Sequence, residues 1–232
     1  MPAGFPTCVP LPLPSAAPIP LAPTTLYARV FKRGCDLVAS ALLLVLLLPL
    51  MALVALAVRL VLGPPVLYRD DRAGLKGRAI RVAKFRSMSQ ATNATGMLLP
   101  DAERLGPFGR FLRQTSLDEL PQLMSVVAGD MSMIGPRPLP LRYVPRYNAR
   151  QAARLLVRPG LTGWAQIHGR NAVNWPDRLE LDVRYVEMLG HITAPFTDLW
   201  IAAVTAVQIL TQAFTGRGIA APGSATMQEF AP

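Results

Sequence analysis

Two adjacent carboxylates, Asp118 and Glu119, lie in the segment TSLDELPQL at residues 115–123. One interpretation is structural, because Ser116 as N-cap with Glu119 three positions later forms a capping box, and acidic residues favour a helix N-terminus. The other is chemical. If Asp118 is the N-cap, Pro121 lies in the first turn, where its missing N–H costs little. The helix dipole would then keep the Asp118 carboxylate ionised, as a nucleophile or Mg²⁺ ligand requires.

Several arginines could supply the cationic partners that phosphoryl chemistry needs. Mg²⁺ prefers one or two carboxylates together with phosphate oxygens and water, and guanidinium groups bind phosphate oxygens bidentately. The candidates are Arg86, Arg113, Arg137, Arg158 and Arg170. Three of them lie in the turns GPRP, RPG and HGRN, where backbone amides can approach an anion. A single arginine is more often a solvated surface charge, so the pattern indicates phosphate binding without naming a substrate.

The secondary structure predicted for the chain around these residues indicates an α+β fold that is mainly helical with a small β-hairpin. Residues 66–69 and 80–85 predict two strands joined by a glycine-containing turn at 73–77. Helices are predicted from about Pro107, from 116–118 to Gly129, and from Asn174 to 189, with a short strand at 131–134. In the last helix Asn174 is the predicted N-cap and Pro176 lies in the first turn.

Composition narrows the class of protein. Lys and Arg number 24 against 14 Asp and Glu, a net charge of +10. Such an excess of positive charge is typical of proteins that bind nucleic acid, anionic lipid or phosphorylated small molecules. The chain has no RNA-binding aromatic motif, zinc finger or heptad zipper, so we expect no nucleic-acid partner. Two cysteines, Cys8 and Cys35, offer no disulfide framework, and two histidines are too few for a histidine-based metal site.

An uncharged stretch from residues 37 to 58 is long enough to cross a bilayer core. Basic residues flank it on both sides, which favours two ends on the same side of a membrane. Pro49 near its middle weakens a straight helix, although transmembrane helices tolerate proline. A re-entrant hairpin and a single spanning helix both fit. The next most apolar segment, residues 199–214, is shorter and carries Thr and Gln, which favours a core or surface-lying helix.

The predicted domain organisation has four parts. Residues 1–26 form a Pro-rich tail without the basic n-region of a secretory signal. Residues 27–62 form the membrane segment, as helix, break and helix. Residues 63–216 form a catalytic domain with interfacial helices, and residues 217–232 form a flexible tail.

Five motifs that follow one another in the chain resemble the bacterial sugar transferases, the monotopic phosphoglycosyl transferases that use a polyprenyl phosphate acceptor. They are KFRSM at 84–88, TSLDELPQL at 115–123, GDMSMIGPRP at 129–138, RPGLTGWAQIHGRN at 158–171 and LELDVRYV at 179–186. The resemblance covers roughly residues 27–214 and is to the minimal form of the family.

This resemblance implies transfer of a sugar-1-phosphate from a UDP-sugar to undecaprenyl phosphate, with release of UMP. Asp118 would attack the sugar-linked phosphate and form an aspartyl-phosphosugar intermediate, and Glu119 would bind Mg²⁺. The resemblance also assigns roles to further residues. Arg113 and Arg137 would hold phosphates, Lys84 and Arg86 would lie close by, and Arg170 and Asp182 would shape the nucleotide-sugar side.

The resemblance favours the re-entrant topology, with the catalytic domain on the cytoplasmic face of a bacterial inner membrane. In the family the helix breaks at a Ser-Pro pair, whereas this chain has Leu48 and Pro49. Without the hydroxyl, the bend should be less well specified. The expected partners are the UDP-sugar, undecaprenyl phosphate, membrane lipid and, as one option, a second copy of the chain. The reaction would initiate a surface glycan such as exopolysaccharide, lipopolysaccharide or capsule.

A rival hypothesis assigns the same fold to the chain but no catalytic activity. The chain would then be a membrane-anchored scaffold that recruits other assembly proteins. The intact Asp118–Glu119 pair favours the enzyme, because an inactive relative would be expected to lose it.

Overall fold

The computed structural model of the protein describes residues 20–169, 173–215 and 230. Its described part is mainly helical with two small sheets, which confirms the predicted α+β class. The helices are α1 (Lys32–Val61), α2 (Asp101–Arg104), α3 (Pro107–Gln114), α4 (Gln122–Ala128), α5 (Ala149–Ala152), α6 (Trp164–Ile167), α7 (Trp175–Met188) and α8 (Ala194–Thr215). The strands are β1 (Leu67–Ala73), β2 (Ala79–Phe85), β3 (Ser132–Ile134) and β4 (Gly160–Thr162).

The predicted β-hairpin is confirmed. Strands β1 and β2 pair antiparallel, with Leu67 opposite Phe85 and Ala73 opposite Ala79. The turn between them contains Gly77, whose φ of 75° suits a residue without a Cβ atom. Strand β1 is longer than predicted, since it continues through the charged residues that follow Arg69. The hairpin delivers Lys84, near the end of β2, to the centre of the molecule.

Helix α7 begins as the sequence predicts. The Asn174 side chain accepts a hydrogen bond from the Asp177 amide, and Pro176 lies in the first turn. Its inward stripe of Leu179, Val183 and Val186 is fully buried, so this helix forms the centre of the core.

The apolar N-terminal segment forms one long helix. A π-helical turn at Tyr27–Phe31 leads directly into α1, which continues through Leu48 and Pro49 to Val61. The predicted break at Leu48 and Pro49 is therefore not present as a separation into two helices. A proline inside a helix removes a single backbone hydrogen bond, and an apolar helix of this length retains enough others to continue.

Both ends of α1 contact the rest of the protein. Near its start, Asp36 Oδ2 accepts a hydrogen bond from the Ser132 hydroxyl on β3 at 2.6 Å. Near its end, Val58 is fully buried and packs in one cluster with Phe85 of β2. The middle of the helix exposes its large apolar side chains, namely Leu42, Val45, Leu46 and Leu48. Helix α1 is thus held at both ends by the same body, and its central turns are uncovered.

Within the described part of the chain, two helices are long and apolar enough to cross a membrane by length and composition, whereas the sequence predicted only the first. The most apolar 18-residue window has a mean hydropathy of 3.0 in Tyr27–Val61 and of 1.3 in Ala194–Gln212 of α8. One face of α8 packs on the core through Ala194 and Ile201, both fully buried. The other face exposes Phe196, Leu199, Trp200, Val207 and Leu210. Helix α8 therefore packs along the catalytic domain while presenting an apolar stripe.

Candidate active site

The two carboxylates lie in a 3₁₀ turn, Leu117–Glu119, between α3 and α4. Neither capping prediction is correct. Ser116 has the left-handed conformation, with φ of 57°, and its side chain makes no cap hydrogen bond. Helix α4 begins only at Gln122, one residue after Pro121, so Asp118 is not its N-cap either. Asp118 therefore lies buried in this turn and does not cap α4.

Burial dominates the electrostatics of Asp118, which is 8% exposed. Loss of hydration and the neighbouring Glu119 charge raise the pKa of Asp118 to about 6, against the opposing effects of Lys84, Arg113 and Arg137. The predicted helix-dipole effect of α4 does not apply, because Asp118 is not the N-cap of that helix. Within the described residues, the Asp118 carboxylate makes no hydrogen bond or ion pair. It is ionised at neutral pH and is not committed to a neighbour in that part of the chain.

Glu119 is held by two cations. Its Oε1 accepts from Lys84 Nζ at 2.6 Å and from an Arg137 guanidinium nitrogen at 2.7 Å. Burial raises the pKa of Glu119. The charges of Arg137 and Lys84 outweigh this effect and bring the pKa below its usual value. Arg113 approaches from α3, and its Nε donates to the Ser87 hydroxyl at 2.9 Å. The structure thus brings Lys84, Arg113 and Arg137 together around the carboxylate pair.

Close contact between two glycine turns places Arg137. Gly135 N donates to the Thr162 carbonyl at 2.8 Å, and Gly160 N donates to the Pro136 carbonyl at 2.9 Å. A Cβ atom on Gly160 would lie 2.0 Å from the Gly135 nitrogen, so neither backbone could approach with a side chain there. The motifs GPRP and RPGLTG are therefore two halves of one support for Arg137.

Asp182 lies behind Arg137 and is 1% exposed. Its Oδ2 accepts two hydrogen bonds from Arg154, at 2.6 and 3.1 Å, and Arg154 also donates to the Arg137 carbonyl at 2.5 Å. The structure therefore places Asp182 in a buried ion pair with Arg154, which in turn binds the Arg137 backbone. The role of Asp182 on the nucleotide-sugar side stays a prediction.

Two further arginines belong to this region and were not singled out from the sequence. Arg154 has no local pattern that would identify it, since its partner Asp182 is 28 residues away. Arg178 is four residues before Asp182 on α7, a spacing that places both on one helix face. Burial and the charges of Arg137 and Arg154 lower the pKa of Arg178 to about 10. Arg137, Arg154 and Arg178 are therefore close enough for their positive charges to interact.

Two predicted phosphate ligands, Arg86 and Arg158, bind backbone carbonyls in this structure. The Arg86 guanidinium donates to the carbonyls that follow α1, those of Leu62, Gly63 and Pro64. Arg158 Nε donates to the Gly129 carbonyl, just past α4, at 2.9 Å. Each arginine thus stabilises a helix C-terminus. Arg170 lies outside the described residues.

The Asp118–Glu119 pair fits a Mg²⁺ site in which substrate phosphates and water supply the other ligands. It does not fit a site built from protein ligands alone. Among the residues that the structure describes, no three His, Cys, Asp or Glu side chains come together as a metal-binding group. Mg²⁺ is commonly bound through one or two carboxylates, with substrate phosphates and water completing its shell. The two adjacent carboxylates match that donor set.

The site combines a partly buried carboxylate pair with a cluster of cations, next to a long apolar helix. These are the features of an enzyme that handles phosphate at a membrane surface, where catalysis depends on positioning and charge neutralisation. The family model described as bacterial sugar transferase matches residues 27–212. The chain belongs to the bacterial sugar transferase family.

Curated relatives share the same region. An uncharacterised sugar transferase of Bacillus subtilis, EpsL, is 44% identical over 78% of this chain and 88% of its own length. A UDP-glucose:undecaprenyl-phosphate glucose-1-phosphate transferase of Escherichia coli is 38% identical over 72% of this chain and 39% of its own length. An Aeromonas hydrophila UDP-N-acetylgalactosamine-undecaprenyl-phosphate N-acetylgalactosaminephosphotransferase is 32% identical over 85% of this chain and 47% of its own. The match thus spans less than half of each of these last two relatives.

Proposed function

We propose that this protein transfers a sugar-1-phosphate from a UDP-sugar to undecaprenyl phosphate and releases UMP. The observation that carries the proposal is the Asp118 carboxylate, which is buried and makes no hydrogen bond or ion pair within the described residues. It lies beside a Glu119 that Lys84 and Arg137 hold in place. The names of the relatives support the donor and acceptor classes, and they include two different sugars.

In the first step, an Asp118 oxygen attacks the sugar-linked phosphorus of the donor. The new bond joins this oxygen to phosphorus, and the bond to the bridging oxygen breaks, so UMP leaves with that oxygen. Arg113 and Arg137 lie near enough to influence Asp118 electrostatically and would neutralise the phosphate oxygens. Burial favours attack, because a carboxylate with little hydration has less solvent to displace.

In the second step, a phosphate oxygen of the polyprenyl acceptor attacks the same phosphorus. The bond from phosphorus to Asp118 breaks, which regenerates the carboxylate and leaves a pyrophosphate-linked sugar on the lipid. A bound Mg²⁺, held by Glu119 and phosphate oxygens, would supply charge neutralisation during both transfers. Glu119 keeps its position through Lys84 and Arg137.

A panel of UDP-sugars tests the reaction directly. We expect purified protein with Mg²⁺ and undecaprenyl phosphate to release UMP from at least one donor, UDP-glucose and UDP-N-acetylgalactosamine included. Omitting the acceptor should limit UMP to about one equivalent of enzyme, because the second step cannot occur. No UMP from any donor would favour the inactive scaffold.

We also propose that α1 is re-entrant, with a bend at Pro49 inside the continuous helix and with the catalytic domain on the cytoplasmic face of a bacterial inner membrane. Helix α1 is anchored to that domain at both ends, by the Lys32–Asp198 ion pair at 2.6 Å and by Val58 in the core. A single crossing would need to break one of these two attachments. Its exposed central turns supply the apolar surface that lipid would cover.

Cysteine labelling tests this topology. With Cys8 and Cys35 replaced, single cysteines at Pro23 and Gly63 should react with an impermeant thiol reagent from the same side of inverted vesicles. Both should be protected in right-side-out spheroplasts. Reaction of the two sites from opposite sides would contradict the re-entrant topology and support a spanning helix.

A further inference from the structure

An aromatic pocket on the catalytic domain encloses Phe230. Its ring is 3% exposed and lies 5.6 Å from Tyr143, 5.4 Å from Trp175 and 6.0 Å from Tyr147, measured between ring centroids. Tyr143 and Trp175 also meet edge to face at 5.6 Å. Aromatic pairs in this distance range are stabilising beyond the apolar area that they bury.

The pocket also holds the backbone of the same residue. The Phe230 amide donates to the Tyr143 hydroxyl at 3.2 Å, and the Phe230 carbonyl accepts from an Arg146 guanidinium nitrogen at 2.5 Å. Ring and peptide group are thus recognised together. An apolar ring that had merely collapsed onto the surface would not need both main-chain contacts.

On one side, hydrogen bonds connect a residue that lines the pocket to the active site. The Tyr147 hydroxyl accepts from Arg154 at 3.1 Å, and Arg154 donates in turn to the Arg137 carbonyl. Arg137 binds Glu119. Four successive contacts therefore join Phe230 to the catalytic carboxylates.

A second wall leads to the same region. Trp175 is the first residue of α7, and the Arg178 guanidinium lies 5.1 Å from the centre of its ring. Arg178 is close enough to Arg137 for their charges to interact. Phe230 thus contacts Tyr147, which is hydrogen-bonded to Arg154, and Trp175, which lies on the same helix as Arg178.

We propose that this pocket is a receptor for the chain's own C-terminal aromatic residue, and that Phe230 is a positioning residue for Arg137. With the ring in place, Tyr147 and Trp175 are packed in one arrangement, and Tyr147 keeps its bond to Arg154. Without it, the pocket would expose three aromatic rings, and Arg154 would hold Arg137 less firmly. The positioning role rests on the proposed transferase function, whereas the pocket itself does not.

The kinetic test uses the full chain. Phe230→Ala should lower kcat/KM for the UDP-sugar by about tenfold, since a small misplacement of a positioning group has effects of this order. Phe230→Leu keeps an apolar side chain of similar size and should recover part of the loss. Phe196→Ala removes a ring that is 74% exposed and should leave kcat/KM unchanged. Unchanged or faster turnover in Phe230→Ala would overturn the positioning role, and faster turnover would indicate an inhibitory plug.

A double-mutant cycle separates positioning from general loss of stability. Tyr147→Phe keeps the ring that contacts Phe230 and removes the hydroxyl that contacts Arg154. If Phe230 acts through this hydroxyl, the double variant should lose little more activity than the more damaging single variant. If the loss of activity in the double variant equals the product of the two single-variant losses, Phe230 does not act through Tyr147.

A fluorescence test needs no turnover. Trp164→Phe with Trp200→Phe leaves Trp175 as the single indole among the three of the chain. Adding Phe230→Ala should shift Trp175 emission to the red and increase its quenching by acrylamide. Unchanged emission and quenching would refute the pocket. Because this readout is independent of catalysis, it distinguishes failure of the pocket from failure of the proposed reaction.

Discussion

Replacing Asp118 by Asn should abolish sugar-phosphate transfer while the protein stays folded. The amide keeps the shape of the side chain and has no ionised oxygen to attack phosphorus. Loss of a nucleophile that acts in a covalent step typically costs at least about 10⁴-fold in turnover. UMP release at saturating donor and acceptor measures the effect. Near-normal turnover would exclude the covalent route through Asp118.

The same substitution should raise thermal stability at alkaline pH. Folding raises the pKa of Asp118 from 3.8 to about 6, mainly by burial, so the ionised side chain opposes folding. This cost is absent below the unfolded pKa, grows between the two values and is complete above about pH 6. Asp118→Asn removes it, so the Tm advantage over wild type should be largest at pH 8 and shrink towards pH 5. Measurements in EDTA avoid a contribution from bound cations.

Asp130→Asn is a matched control, because Asp130 is an exposed carboxylate near the same segment. It should preserve turnover. Mass spectrometry of wild type with donor alone should detect an added sugar phosphate on Asp118, and the Asp118→Asn protein should carry none. An adduct on another residue would identify a different nucleophile.

Glu119→Gln should have the second largest effect, a loss of roughly 10²- to 10³-fold in kcat/KM. The substitution removes the charge that Lys84 and Arg137 share at 2.6 and 2.7 Å, so both cations lose their anchor. It also removes the carboxylate proposed to hold Mg²⁺. The variant should need a higher Mg²⁺ concentration for half-maximal activity, which a titration of UMP release against Mg²⁺ measures.

Glu103→Gln, at an exposed position on α2, is the control for loss of one negative charge. It should leave both kcat/KM and the Mg²⁺ requirement as in wild type. A Glu119→Gln enzyme with reduced rate and an unchanged Mg²⁺ requirement would contradict the metal role. It would leave Glu119 as an anchor for Lys84 and Arg137 alone.

Local properties of the chain were sufficient for several elements. The hairpin, the N-terminus of α7 and the long apolar helix depend on alternation, capping residues and hydrophobic length, all of which act over a few neighbouring residues. The adjacency of Asp118 and Glu119 is likewise a local fact. For this reason the fold class and the carboxylate pair could be predicted before any contact between distant segments was known.

The choice of partners for each arginine could not be predicted in this way. Arg86 and Arg158 bind backbone carbonyls at helix ends, whereas Arg113 and Arg137 surround the carboxylates. These side chains are chemically identical. Which anion or carbonyl each one meets depends on segments tens of residues away.

The carboxylate pair, the many cations and the apolar anchor could be predicted from residue types and short spacings, because those features are local. The burial and raised pKa of Asp118, the support of Arg137 by Arg154 and Asp182, and the aromatic pocket around Phe230 depend on the folded chain. Burial and long-range hydrogen bonds exist only after distant segments have packed together, as between Tyr143 and Phe230, 87 residues apart.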